Sequence, residues 1–285
     1  MGEISDALRR ASSNSASVPL RPAPPADVPD RTPLPPYPAE AATGPLAAGP
    51  VDAVGVARLA PEGFARECYR NLAMRVLRRM QECDARTLQV TSAAQQEGKT
   101  TTSLHLAISL AQLRPEAKIM LLDLDLRRPS LALRLGSDAP VGDLPGLLAG
   151  RPVAECAAAT DLGKLFVAGV VDGAREVHDT LTAPMLSRLC ADLERGFDFT
   201  IVDSPPVLGI SDALSISLAV DAWMLVVRQG ESRMAAVAEA LAELDASRLL
   251  GVFLNADGRH SSSRAYGYGY GPGTDADAER ERNDG

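Results

Sequence analysis

The residues Val90-Thr-Ser-Ala-Ala-Gln-Gln-Glu-Gly-Lys-Thr100-Thr run from a β-type apolar segment into a helical one carrying Leu104, Ala107, Ile108 and Ala111 on one face. A loop entering a helix N-terminus aims unpaired backbone N–H groups and the positive end of the helix dipole at one point, which suits a phosphate. Lys99 adds an ammonium for the outer phosphates, and Thr100 offers a hydroxyl to Mg²⁺. Glu97, Gly98, Lys99, Thr100 and Thr101 are therefore the candidate nucleotide-binding residues. The general pattern G-x-x-x-x-G-K-[ST] wants glycine at position 93, where this chain has Ala93, so only its second half is intact.

Carboxylates complete the chemistry. Leu121-Leu-Asp-Leu-Asp-Leu-Arg-Arg-Pro129 places Asp123 and Asp125 at the carboxyl end of a strand, beside the crevice where open α/β sheets bind ligands. Asp203 closes the run Phe199-Thr-Ile-Val and is followed by Ser204-Pro205-Pro206, which stops the strand where an acid would hold water on Mg²⁺. Grouped acids of this kind need a cation, and beside a phosphate loop the expected one is Mg²⁺.

The elements that must position these residues follow from alternating β-rich and helical segments. The expected strands are 87–92, 118–123, 164–168, 199–203, 222–228 and 249–255, and helical patterns fall around 99–113, 182–195, 211–219 and 232–246. Nearly continuous apolar runs such as Ile-Met-Leu-Leu-Asp imply a sheet covered on both faces, so the fold class is α/β, a doubly wound, mostly parallel sheet. Residues 62–82 form a basic helix ahead of this core, with Phe64, Leu72, Val76 and Met80 as its apolar positions.

Composition bounds the rest. A chain of 285 residues with 46% hydrophobic and 23% charged side chains can bury a core, which excludes wholesale disorder. Of 21 prolines, 11 lie in residues 1–50, mixed with Ala and Ser, and that stretch reads as a disordered linker. Before it, Ile4, Ala7, Leu8 and Ala11 share a helical face over residues 3–11, either a docking peptide or a frayed end. After Asn255 little remains to bury, and residues 259–285 read as a flexible acidic tail holding Tyr266, Tyr268 and Tyr270, three of only five tyrosines. The expected domains are thus 1–61, 62–258 and 259–285. Four cysteines without CxxC spacing suggest neither a disulfide framework nor zinc. A net charge of −8 argues against a nucleic-acid partner. No apolar stretch reaches the roughly 20 residues of a membrane span, and Pro, Ser and Asp interrupt the first thirty residues where a secretory signal needs an apolar run, so a cytoplasmic location is expected.

Taken together, Thr-Ser-…-Glu-Gly-Lys-Thr-Thr, Leu-Leu-Asp-x-Asp-Leu-Arg-Arg-Pro, Asp-Ser-Pro-Pro-Val-Leu-x-x-x-Asp-Ala and Leu-Gly-Val-x-Leu-Asn resemble the bacterial tyrosine kinases of capsule and exopolysaccharide synthesis, within the MinD- and ParA-like P-loop ATPases. The resemblance spans about residues 62 to 270. It implies that ATP and Mg²⁺ are the cofactors, that Lys99 contacts phosphate, Thr100 binds Mg²⁺ directly, Asp125 and Asp203 hold it through water, and Asp123 is the base for an incoming tyrosine hydroxyl. Asn255 would read the adenine edge, and Asp212 matches the family without an assignable role. Autophosphorylation of Tyr266, Tyr268 and Tyr270 between subunits is implied, in a homo-oligomer whose interface would use Glu67 and Arg70. The usual next arginine position holds Ala73, and Gln95-Gln96 stand where the family carries Pro-Gly. The implied activator is a membrane polysaccharide co-polymerase, a Wzz-like chain-length regulator, which would recruit the kinase to the inner face of the cytoplasmic membrane. Two alternatives are a catalytically weak nucleotide-sensing adaptor of the export complex and a MinD-like ATPase.

Overall fold

The computed structural model describes residues 53–136, 141–170 and 181–255. The proposed segment 3–11, the linker through residue 52 and the tail tyrosines Tyr266, Tyr268 and Tyr270 lie outside the described residues. The main strands are β1 (Thr87–Ser92), β2 (Ile119–Asp123), β4 (Leu165–Ala168), β5 (Phe199–Asp203), β6 (Ala222–Arg228) and β7 (Leu249–Asn255), and a two-residue β3 (Ala158–Ala159) precedes β4. The sheet order is β3-β4-β2-β5-β1-β6-β7. Every pairing is parallel except β3 with β4.

Alternation along the strands assigns each face its helices. Leu88, Val90, Ile119, Leu121, Ile201, Met224 and Val226 face helices α1 (Gly63–Glu82) and α2 (Lys99–Leu113). Met120, Leu122, Phe166 and Val202 point the other way, toward α4 (Leu144–Leu148), α6 (Ala183–Gly196) and α7 (Ser211–Ala219). Trp223, Leu225 and Val227 pack on α8 (Met234–Glu243). The strand β1 is buried throughout yet carries Thr87, Gln89 and Thr91, whose polar atoms are largely paired, Gln89 Oε1 having no partner among the described residues. Gln89 Nε2 donates to Ser204 Oγ and Ala213 O at 3.0 Å each, and Thr87 Oγ1 donates to Asp221 Oδ2 at 2.9 Å.

The helix α1 buries Tyr69, Ala73, Val76 and Met80, one stripe at i, i+4, i+7 and i+11. Phe64, expected on that stripe, is instead 80% exposed one turn before it. Between β2 and β4 the chain makes three short helices, α3 (Leu131–Leu135), α4 and α5 (Val153–Cys156), too brief to show a helical period in sequence.

The linker boundary also moves. Residues 53–61, expected to belong to the linker, pack as a strap on the domain. Val54 and Val56 are buried, and Val54 bridges Thr160 beside β3. Asp161 Oδ1 accepts from Val56 N at 2.7 Å and Ala57 N at 2.9 Å, while Arg58 Nη2 donates to Leu135 O at 2.9 Å. Among the described residues no helix is long and apolar enough to cross a membrane.

Candidate nucleotide site

The phosphate loop joins β1 to α2. Gly98 caps that helix at φ +95°, a left-handed conformation that L side chains rarely adopt, and a Cβ there would meet Asn255 Nδ2 at 2.1 Å. Gln96 is also left-handed, at φ +62°, so the position where the resembled family has glycine keeps the conformation glycine permits. The loop is held from the neighbouring strands. Arg228, at the end of β6, donates through Nη1 to Gln96 O at 3.2 Å, and Asn255, at the end of β7, donates through Nδ2 to Glu97 O at 3.1 Å. The Glu97 side chain is folded inward. It accepts from Ala94 N at 3.1 Å and from Ser232 Oγ, whose hydroxyl also takes a bond from Arg228 N at 2.8 Å. These bonds leave Glu97 only its backbone to offer a ligand. They also give the Asn255 amide a loop-closing contact where contact with an adenine edge is expected.

The acids converge because of register. Asp123 and Asp203 are partners in the parallel β2–β5 ladder, so both side chains leave the same face of the sheet, roughly 4.8 Å apart, toward the N-terminus of α2. Asp203 has no exposed surface. Its Oδ1 accepts from Ser103 Oγ at 3.2 Å, and its Oδ2 has no hydrogen-bond partner among the described residues. Burial, and secondarily the Asp123 carboxylate beside it, pushes Asp203 up to about 8, against the pull of the Thr100 hydroxyl and the Lys99 ammonium. Asp123 is also raised, chiefly by burial. Two adjacent buried acids oppose each other's ionisation, and a cation between them would relieve that.

Asp123 is tightly committed. Its Oδ1 accepts from Asp125 N at 3.0 Å and its Oδ2 from Ser130 N at 3.1 Å and Leu131 N at 3.0 Å, with 1% of the residue exposed. It organises the loop between β2 and α3 and is closed to an incoming hydroxyl in this conformation. Asp125 is half-buried. Burial raises it, the Lys99 ammonium opposes that, and its Oδ1 accepts from Arg128 N at 3.2 Å. Lys99 itself is 7% exposed, so its charge sits inside the site rather than in bulk water.

An orphaned carboxylate oxygen, a second carboxylate beside it, a buried ammonium and a helix N-terminus fit a Mg²⁺–nucleotide. Among the described residues no group of three or more His, Cys, Asp or Glu could hold a metal ion by itself. The Thr100 hydroxyl lies 2.7 Å from Ser130 Oγ, which links the phosphate loop to the β2–α3 loop.

The fold therefore brings together Glu97, Gly98, Lys99, Thr100, Asp123, Asp125, Asp203 and Asn255. Thr101 follows on the first turn of α2, half-buried. Glu67 and Arg70 are exposed on α1. Sequence reasoning missed Ser103, Ser130, Arg228 and Ser232. The signal for Ser103 was its i+4 spacing from Lys99 on one helix, and for Arg228 its place at a strand end. Asp212 gains a partner, since Arg127 Nε lies 3.0 Å from its Oδ2.

No protein-family model matches the chain. The tyrosine-protein kinase YwqD of Bacillus subtilis is 28% identical over 216 residues, covering 74% of this chain and 90% of YwqD. The tyrosine-protein kinase CpsD of Streptococcus pneumoniae is 31% identical over 175 residues, covering 60% of this chain and 75% of CpsD. The succinoglycan biosynthesis transport protein ExoP of Rhizobium meliloti is 25% identical over 202 residues, 69% of this chain but only 25% of ExoP. Among solved structures, the BceF tyrosine kinase domain superposes with a TM-score of 0.59 at 26% identity, covering 70% of this chain and 81% of that domain. Identity at this level across three quarters of CpsD, together with a sheet that carries the paired acids opposite the phosphate loop, makes the chain a member of the bacterial tyrosine kinases.

Proposed function

We propose that the chain transfers the γ-phosphoryl group of ATP to Tyr266, Tyr268 and Tyr270 in the tail of a neighbouring copy, and that this cycle regulates exopolysaccharide or capsule polymerisation and export. The observation that carries the reading is the Asp123–Asp203 pair, with its unpartnered oxygen, across from buried Lys99. Bound Mg²⁺ would neutralise charge on the phosphates and on these acids. Lys99 and the N–H groups of Gly98, Lys99 and Thr100 orient the triphosphate, Thr100 and Asp203 hold the cation, and Asp123 fixes the β2–α3 loop. Asp125, the acid less deeply enclosed than Asp123, accepts the proton of the tyrosine hydroxyl, which has a pKa near 10 and is otherwise protonated at neutral pH. The Oη–P bond forms as the bond from Pγ to the β–γ bridging oxygen breaks, and ADP leaves.

The activator in this reading is a membrane chain-length regulator of the polysaccharide co-polymerase type, met at the inner face of the cytoplasmic membrane. Glu67 and Arg70 serve contacts between copies. Incubation with ATP and Mg²⁺, with and without the activator's cytoplasmic segment, is expected to give phosphotyrosine at residues 266–270 by mass spectrometry. Lys99→Ala should remove it together with nucleotide binding. Changing all three tail tyrosines to Phe should remove the modification and leave nucleotide binding intact. Nucleotide binding without phosphotyrosine under either condition refutes the transferase reading in favour of an adaptor.

A further inference from the structure

The two edges of the sheet are finished differently. At one edge β3 is only two residues long, and the strap bridges beside it through Val54, so little unpaired backbone remains. At the other edge β7 runs seven residues, Leu-Leu-Gly-Val-Phe-Leu-Asn, with no charge and no proline to blunt it. Its residues are half-buried or exposed, whereas those of neighbouring β6 are buried up to its last residue.

A groove of about 820 Å³ runs between this edge and α1. Four consecutive β7 residues, Leu250 to Phe253, line it. Met224 of β6 lines it as well, so the groove lies along the β7 edge on the α1 side of the sheet. Among the described residues a Cβ built on Gly251 meets nothing within 4 Å, so the sheet face is uncovered at the middle of the strand. The floor is apolar, with Leu72 and Val76, and the rim carries Arg75, Arg78 and Arg79, with no acidic residue among the described lining. Arg78 and Arg79 share one surface partner, Glu82, at 3.5 and 3.3 Å, an interaction of small energy at such exposure. Arg75 has no ion pair among the described residues.

We infer that β7 is a docking edge for an extended acidic peptide of a partner protein, which adds as an eighth strand. Its backbone would bond the β7 edge, and its side chains would alternate between the apolar floor and the arginine rim. Charge selects this occupant over a second copy of the chain, because pairing β7 with its own copy brings six arginines together. The inference does not depend on phosphotransfer, so loss of tyrosine phosphorylation with peptide binding intact would sink the proposed function and leave this docking edge standing.

The test uses the full chain and a fluorescent ten-residue (Val-Glu)5 peptide in anisotropy titrations. Expected are saturable binding, at least tenfold weaker binding of (Val-Lys)5, and a similar loss when the two central valines of (Val-Glu)5 become proline. Arg75→Glu with Arg78→Glu, checked for an unchanged fold by circular dichroism, should weaken (Val-Glu)5 at least tenfold, and 0.5 M salt should weaken it in the unaltered chain. Hydrogen exchange should slow at residues 250–254 on binding. No binding, or equal binding by the arginine variant or the proline peptide, overturns the inference and leaves the arginines as guards of a bare edge. Full protection of β7 before peptide is added also overturns it, as does a dimer by sedimentation that the arginine variant dissociates and the peptide does not.

Discussion

Replacing Asp203 by Asn tests whether the two strand-end acids are built to wait for a cation. Asp203 is raised from 3.8 to about 8, first by burial and then by Asp123. A carboxyl raised on folding contributes stability that is fully present below its ordinary value and lost as pH rises toward the raised one. Each pH unit in that interval is worth about 1.4 kcal/mol, so going from pH 5 to pH 7.5 takes at most about 3 kcal/mol from the nucleotide-free protein through this pair. Asn keeps an oxygen for Ser103 Oγ and cannot ionise, so Asp203→Asn escapes that loss. Its advantage in melting temperature should therefore be larger at pH 7.5 than at pH 5, by up to about 6–12 °C for a domain near 200 residues. Thermal melts without nucleotide or Mg²⁺ read this directly. In the unaltered protein Mg²⁺ with ATP should restore stability at pH 7.5, and in the variant that gain should shrink. An advantage equal at both pH values, or a destabilised variant at pH 7.5, refutes the reasoning.

Other perturbations follow from single contacts. Gly98→Ala places a Cβ against the Asn255 amide and an L side chain at φ +95°, and should cost about 1–2 kcal/mol and at least tenfold in nucleotide affinity by calorimetry. Gln96→Gly should change stability by less than about 1 kcal/mol, since relief of the left-handed conformation offsets the freer unfolded chain, whereas Gln96→Val should destabilise clearly in the same melts. Asp212→Asn removes a charge that raises Asp125, so the acid limb of the phosphorylation pH profile should move to lower pH; a move upward would contradict Asp125 as the proton acceptor. Asp161→Ala strips the acceptor from Ala57 N and one of two from Val56 N, which keeps Val54 O at 2.9 Å, and should cost about 1 kcal/mol, read as a lower melting temperature and faster tryptic cleavage at Arg58.

The framework was legible because each strand is an apolar run with a local stop. Ile119–Asp123 and Phe199–Asp203 end on acids, and the second is followed by two prolines. Their positions in the described sheet match the sequence reading to within a residue. What escaped depends on distant partners. Val54 and Val56 sit next to a Pro- and Ala-rich stretch and carry no period of their own, and their backbone is held by Ala159 and Asp161, about a hundred residues away. Phe64 fitted a helical stripe on spacing alone, but at 3.6 residues per turn it lies about 140° around α1 from Tyr69, so it faces water.

The site divides along the same line. Residue types at strand ends and at a helix start put Lys99, Thr100, Asp123, Asp125 and Asp203 in one place without knowledge of any contact. Spacing cannot say which way a hydrogen-bonding side chain turns once it arrives. Asp123 and Asp125 are two residues apart, yet one is gripped by three backbone N–H groups and the other by one. The difference arises because the chain folds back over β2 at Ser130 and Leu131, which a strand-end motif does not encode. Glu97 and Asn255 show the converse. Both occupy positions facing the ligand crevice, and both spend side-chain atoms on holding a loop that lacks the expected glycines at 93 and 96. With Arg228 on Gln96 O and Asn255 on Glu97 O, two strand ends supply from outside the restraint on this loop's shape. Its capacity to bind a triphosphate should therefore depend on those strand-end side chains as much as on Gly98 and Lys99.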